Sequence, residues 1–310
     1  MPERQAIFLS PRTPRGGAAG HASRRRRATR HPTLSLWFTP TTMAQRNAPR
    51  STAPLDQAHG LRTLFGAGHR QRFIPLVHNP MVGGSGAVME RLCAAAAERG
   101  LRTLVVDAAD TASAPQELAA VDLSACVETL SPSVFYLAAR GLPRRHLDSR
   151  ATMTGFLDAL RSAAPTADLV LLHAGASDLR RIFAGRTPSP VLLAGSRPDS
   201  LTQAYAAMKL LSQRLGALAY DLVIASDVGS KRARGMADRL GECADHFLGA
   251  ALRHCVVIDP LEPAGQQVSP SLRRLLAAQI DAGSTPSSPH ASSPAAGALP
   301  ARSPAAGRLN

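Results

Sequence analysis

The chain has 310 residues, of which 45% are hydrophobic and 19% charged, a balance that suits one sizeable packed domain with polar extensions and excludes a wholly disordered chain. It holds no run of about 18 apolar residues and no apolar centre of a secretory signal near its start, so neither a spanning helix nor export is expected and the expected location is cytoplasmic. Much of the formal charge of +14 lies in residues 1–50, where ten arginines face the single acid Glu3; a solvated leader is the preferred explanation, and nucleic acid is not an expected partner.

In chain order, residues 1–52 read as a disordered Arg-rich leader, densest at Arg24, Arg25, Arg26, Arg27 and Arg30, with Met43 offering a later start. Residues 53–68 fit a short amphipathic helix with Leu55, Leu61, Leu64 and Phe65 on its apolar side. Between residues 70 and 282, short apolar runs alternate with longer helical patterns. Strands are expected at 73–77, 102–107, 134–138, 169–173, 191–194, 222–225 and 255–258, and helices at 88–99, 152–163, 200–215 and 233–247. Pro198 with Asp199 or Ser200 suits the first turn and cap of the third of these helices. A further helix at 271–280 is expected to pack on the sheet. Such a βα series predicts an α/β fold, a mostly parallel sheet with helices on both faces and ligands outside the carboxyl ends of the strands. Residues 283–310 are nearly all Ser, Pro, Ala and Gly, which bury too little apolar area to offset their conformational entropy, so a disordered tail is expected. Cys93, Cys126, Cys243 and Cys255 have no metal or redox spacing; they read as free core thiols, and no metal is assigned.

The first strand leads into His78-Asn-Pro-Met-Val-Gly83-Gly84-Ser85-Gly86. A glycine-rich turn before a helix lets backbone N–H groups close around phosphate, where the helix dipole also favours an anion. His78 and His173 both stand at strand ends, the place for a catalytic histidine. Neither has a carboxylate at an orienting spacing, so both read as satisfied or solvent-facing loop histidines, and no catalytic residue is assigned.

From this loop to Leu104-Val-Val-Asp107 the chain resembles the nucleotide-binding unit of the MinD/ParA ATPases, P-loop proteins whose loop reads Lys-Gly-Gly-x-Gly-Lys-Thr. The ungapped register puts Ser85 at the phosphate-contacting lysine and Gly86 at the magnesium-binding hydroxyl; sliding by two residues puts Ala87 and Val88 there instead. By the same resemblance Asp107 keeps the first carboxylate of an Asp-x-Asp pair and Ala109 has lost the second. His173 stands for a magnesium-linked aspartate, and Ser226 for an adenine-reading asparagine. The only lysines are Lys209 and Lys231, so none can meet the developing phosphate charge from this loop. The resemblance therefore implies a degenerate nucleotide loop at Gly83, Gly84, Ser85 and Gly86 with Asp107, and a pseudo-ATPase without a cofactor. ATP with magnesium would be the cofactor only if the altered loop still binds nucleotide.

A second stretch narrows the resemblance. Asp56-Gln57-Ala58-His59-Gly60-Leu61-Arg62 resembles the Asp-Gln-Ala-x-x-Leu-Arg motif of the flagellum-number regulators FlhG, also called FleN. The run from Pro198 through Tyr205 to Lys209 is similar to their Ala-Tyr-x-x-x-Lys helix, and the resemblance covers about residues 55–260. It implies that Asp56, Gln57, Ala58, Leu61 and Arg62 bind the flagellar GTPase FlhF, with Gln57 helping to activate hydrolysis there. The expected function is regulation of flagellar number or placement. Flagellar basal-body or transcription-regulator proteins are further partners and the cell pole the place they would bring the chain to, whereas the short helix at 271–280 gives little reason to expect a membrane surface. Two alternatives stay open: an active MinD-like ATPase switch, and a ParA-like partition or cellulose-synthesis accessory ATPase.

Overall fold

The structure, a computed structural model, describes residues 71–263 and 265–282. Its strands are β1 (Arg72–Val77), β2 (Thr103–Asp107), β3 (Glu128–Ser131), β4 (Val134–Ala138), β5 (Leu169–Ala174), β6 (Val191–Gly195), β7 (Ala219–Ala225) and β8 (Ala251–Ile258). They form one sheet in the order β3-β4-β2-β5-β1-β6-β7-β8. Every neighbouring pair is parallel except β3 with β4. The α-helices of the described residues are α1 (Ser85–Ala97), α2 (Gly155–Ala163), α3 (Ala176–Ile182), α4 (Pro198–Leu215), α5 (Lys231–Leu248) and α6 (Pro270–Ala282).

Side chains alternate across a strand, so each strand feeds two cores. Val77, Leu104, Val106, Val170 and Leu172 face one side and pack with Phe156 and Leu160 of α2, Leu179 of α3 and Met208 of α4. Ile74, Leu76, Val105 and Leu171 face the other and pack with Val88 and Leu92 of α1 and Leu272 and Leu275 of α6. Helices therefore cover both faces, as the βα alternation predicted. That covering explains why β5 is buried along its whole length and reads as an apolar run broken by His173 alone.

All seven expected strands are present, with β7 and β8 starting earlier at Ala219 and Ala251. The edge strand β3 and the short helix α3 were not foreseen. Helix α1 starts at Ser85 rather than at residue 88, so Ser85 and Gly86 form its first turn. Pro198 does open α4, but Ser200 does not cap it: the N-cap is Arg197, with no side-chain cap bond. Cys93 and Cys126 are buried while Cys243 and Cys255 are exposed, which corrects the expectation of four core thiols. Helix α6 lies against α1 and β8, and its Gln279 donates to Asp221 Oδ2 at 2.6 Å and to Ser189 O at 2.9 Å. A register shift between Tyr220 and Asp221, where β7 pairs with β8, lets Arg253 and His254 both reach the same buried carboxylate. No helix among the described residues is long and apolar enough to cross a membrane. The leader, the segment at 53–68 with Asp56, Gln57, Ala58, Leu61 and Arg62, and the tail at 283–310 lie outside the described residues.

Candidate functional site

Strand β1 stands between β5 and β6; the chain runs from it to β2, β3 and β4 on one side, returns to insert β5 beside β1, and then continues to β6, β7 and β8 on the other. In an open α/β sheet the crevice at such a switch point, outside the carboxyl ends of the strands, is where ligands bind. Three polar side chains meet there. Asp107 ends β2 and is directly in register with His173 of β5, while Leu76 of β1 is in register with His173 from the other side. His78 follows two residues after Leu76, and alternation returns it to the same face. The row that supplies Ile74 and Leu76 to the core thus ends in His78, and the rows through Val105 and Leu171 end in Asp107 and His173.

The three form a hydrogen-bonded chain. His173 Nδ1 lies 2.9 Å from Asp107 Oδ1, and His173 Nε2 lies 3.2 Å from His78 Nδ1. An ionised carboxylate only accepts, so the Nδ1 proton belongs to His173, which leaves its Nε2 lone pair to accept from His78 Nδ1–H. His78 Nε2 then carries the lone pair at the end of the chain. His173 is 1% exposed, whereas His78 is half-buried. Burial, and after it the neighbouring His173, pushes the His78 ring down to about 4 from 6.5, against the opposite pull of Asp107 and Asp110. With these tautomers both rings stay neutral, and the burial that pushes His78 down disfavours a proton at its Nε2.

This corrects the expectation that neither histidine has an orienting carboxylate. Asp107 and His173 are 66 residues apart in the chain, and only the strand order makes them neighbours. The available signal was that each ends an apolar strand, but which strands are adjacent is not written in either run.

The glycine loop lies beside this chain and is held from below by Asn79. The Asn79 Nδ2 group donates to Leu193 O at 2.8 Å, Ser200 O at 2.9 Å and Ser200 Oγ at 3.1 Å, and Oδ1 accepts from Met81 N–H at 3.0 Å. Ser200 Oγ in turn accepts from Gly195 N–H at 2.7 Å. Asn79 and Ser200 are thus positioning residues that the sequence did not single out for this task. Gly84 has φ +86°, in the left-handed region, and a Cβ there would meet Pro260 Cβ at 2.7 Å. Both conditions require glycine. Arg91 of α1 holds the loop that follows Pro260, donating to Gln266 O at 2.8 Å, Pro263 O at 3.0 Å and Glu262 Oε2 at 3.2 Å.

Of the residues assigned to the degenerate loop, Gly83 is an exposed turn residue, Gly84 precedes α1, and Ser85 and Gly86 begin it. Asp107 belongs to the histidine chain. Ser226 is buried after β7, its N–H donating to Ile258 O at 2.9 Å. Magnesium seeks oxygen ligands in near-octahedral order, and of the three polar side chains that meet here one is a carboxylate and two are imidazoles. Among the described residues, no group of three or more His, Cys, Asp and Glu side chains is arranged to hold a metal ion. A cavity of about 540 Å³ lies elsewhere, against β8, with Arg91, Arg234, Asp238 and Cys255 in its wall and neither histidine.

No protein-family model and no curated protein matches the sequence. Among solved structures the chain is similar to the MinD cell division protein of Aquifex aeolicus, with TM-score 0.46 and 13% identity over 69% of this chain and 98% of that one. It is also similar to a ParA family ATPase of Chlorobium tepidum, with TM-score 0.43 and 13% identity over 67% and 98%. A third is cobyrinic acid a,c-diamide synthase of Mycobacterium smegmatis, with TM-score 0.47 and 15% identity over 69% and 96%. That synthase has also been solved with bound ADP and magnesium and with an ATP analogue and magnesium.

Proposed function

We infer that the α/β domain is a nucleotide-independent scaffold carrying the segment at 56–62 to the flagellar GTPase FlhF, whose hydrolysis it stimulates, and that flagellar number or placement is regulated in this way. The observation that carries the scaffold half is the His78–His173–Asp107 chain. Metal-dependent phosphoryl transfer needs carboxylate oxygens free to hold the metal or its waters. Here Asp107 Oδ1 accepts from His173 Nδ1–H at 2.9 Å and from Ala109 N–H at 3.3 Å, and the neighbouring strand end presents imidazole. The partner half rests on the Asp56-Gln57-Ala58-x-x-Leu61-Arg62 motif, in which Gln57 would orient the attacking water in the active site of the GTPase.

Calorimetric titration of the full chain with ATP and magnesium tests the scaffold half. The expected result is no saturable heat up to millimolar nucleotide. Binding in the micromolar range would overturn the scaffold reading and favour an ATPase switch.

A further inference from the structure

Four arginines from three separate segments surround one cavity of about 250 Å³: Arg150 before α2, Arg180 and Arg181 in the last turn of α3, and Arg214 in the last turn of α4. Among the described residues none of the four takes part in an ion pair. Arg181 Nε is buried with no hydrogen-bond partner. The acids on the same segments do not line the cavity. Asp148 is engaged with Thr152, accepting from its N–H at 2.8 Å and its hydroxyl at 2.6 Å; it also accepts from Arg150 N–H at 2.9 Å and is a partial counter-charge to Arg150 alone, while Asp178 lies in the first turn of α3.

Cations at helix C-termini complement the helix dipole, and this accounts for one or two exposed arginines. It does not account for a buried guanidinium nitrogen without an acceptor, which costs about 1–3 kcal/mol. Nor does it account for Arg150, which arrives on a different segment, next to Ala151 at φ 57°. The loop that carries Arg150 is fastened to the arginine pair of α3 by Met153 N–H, which donates to Arg181 O at 3.0 Å. Arg180, Arg181 and Arg214 are in no ion pair among the described residues; like charges brought together repel, and an anion between them reverses the sign of that term.

The geometry points to this cavity as a binding site for a small phosphoryl dianion or trianion. Guanidinium groups pair with phosphoryl oxygens two at a time, which suits a hollow lined by several of them. Size narrows the class. Cavities that enclose drug-sized ligands run from roughly 300 to 1,000 Å³, so about 250 Å³ suits one or two phosphoryl groups better than a whole nucleotide. The site belongs to the α2, α3 and α4 side of the sheet and shares no residue with the histidine chain or the glycine loop. It stands whether or not the domain binds ATP.

The test uses the full chain with inorganic pyrophosphate as the probe, at low ionic strength, with sodium chloride of matched ionic strength as the control. Saturable binding is expected by calorimetry, weakened at least tenfold in the Arg180→Gln/Arg214→Gln variant and unchanged in Arg25→Gln/Arg26→Gln, which removes the same charge from the leader. In the wild-type chain, pyrophosphate is also expected to slow phenylglyoxal modification of Arg181 and Arg214, read by peptide mass spectrometry; this needs no variant to fold. Absence of saturable binding overturns the assignment, as does loss of binding in the leader variant alone or protection confined to other arginines.

Discussion

The buried histidine chain makes the fold sensitive to acid in a definite direction. The folded state holds His78 down to about 4 while an unfolded chain returns it to 6.5. Above pH 6.5 both states leave the ring neutral. As pH falls from 6.5 toward 4 the unfolded chain takes a proton that the folded one refuses, so stability is lost across that window. Moving from 6.5 to about 4 corresponds to about 3.4 kcal/mol at full burial; His78 is only half-buried, and solvent screening brings the expected effect to roughly 1–2 kcal/mol. His146 is also lowered by burial, and Asp148 and Asp122 are lowered by their hydrogen bonds, so the total acid sensitivity does not isolate the pair. The variant His78→Gln does, because its amide can still donate to His173 Nε2 yet cannot titrate. Urea unfolding of both proteins at pH 7.5 and pH 4.5 is expected to show the wild type losing about 1–2 kcal/mol more than the variant. Equal losses in the two proteins would mean that no proton is excluded at His78, and the hydrogen-bonded chain would have to be abandoned.

The supports of the site make three further expectations. Asn79→Ala leaves Leu193 O and Ser200 O without their side-chain donor in the interior and is expected to cost about 2–3 kcal/mol in urea unfolding. Gly84→Ala forces a left-handed alanine against Pro260 and is expected to cost roughly 2–4 kcal/mol, whereas Gly83→Ala, where a Cβ meets nothing within 4 Å, should stay within about 0.5 kcal/mol of wild type. Asp221→Asn weakens the contact of α6 through Gln279 and strands Arg253 and His254, with an expected cost of about 3 kcal/mol and faster amide exchange at 270–282.

The α/β layering was legible because strands such as β5 and β6 are short, almost wholly apolar and separated by helical patterns of different period. The misses share a physical cause. Strand β3 carries Glu128, Thr129 and Ser131 on an edge that is largely exposed, so it has no apolar run to announce it. Helix α3 has only seven residues, too few to display a helical period. The site was half legible. Gly84, Asp107, His78 and His173 could each be picked out by position, since glycine turns and strand ends are where chemistry gathers. Their connection could not be, because it depends on β2 and β1 both lying beside β5. Asn79 and Ser200 were invisible as a pair for the same reason, being joined by hydrogen bonds across 121 residues.

The scaffold reading separates the segment at 56–62 from any nucleotide bound by its own domain, and one measurement addresses that separation. GTP turnover by FlhF would be followed with the full chain added, with and without ATP and magnesium, and again with the Gln57→Ala chain. Equal stimulation in the presence and absence of ATP, lost on Gln57→Ala, is the predicted result. Stimulation that appears only with ATP, or that survives Gln57→Ala undiminished, would contradict it.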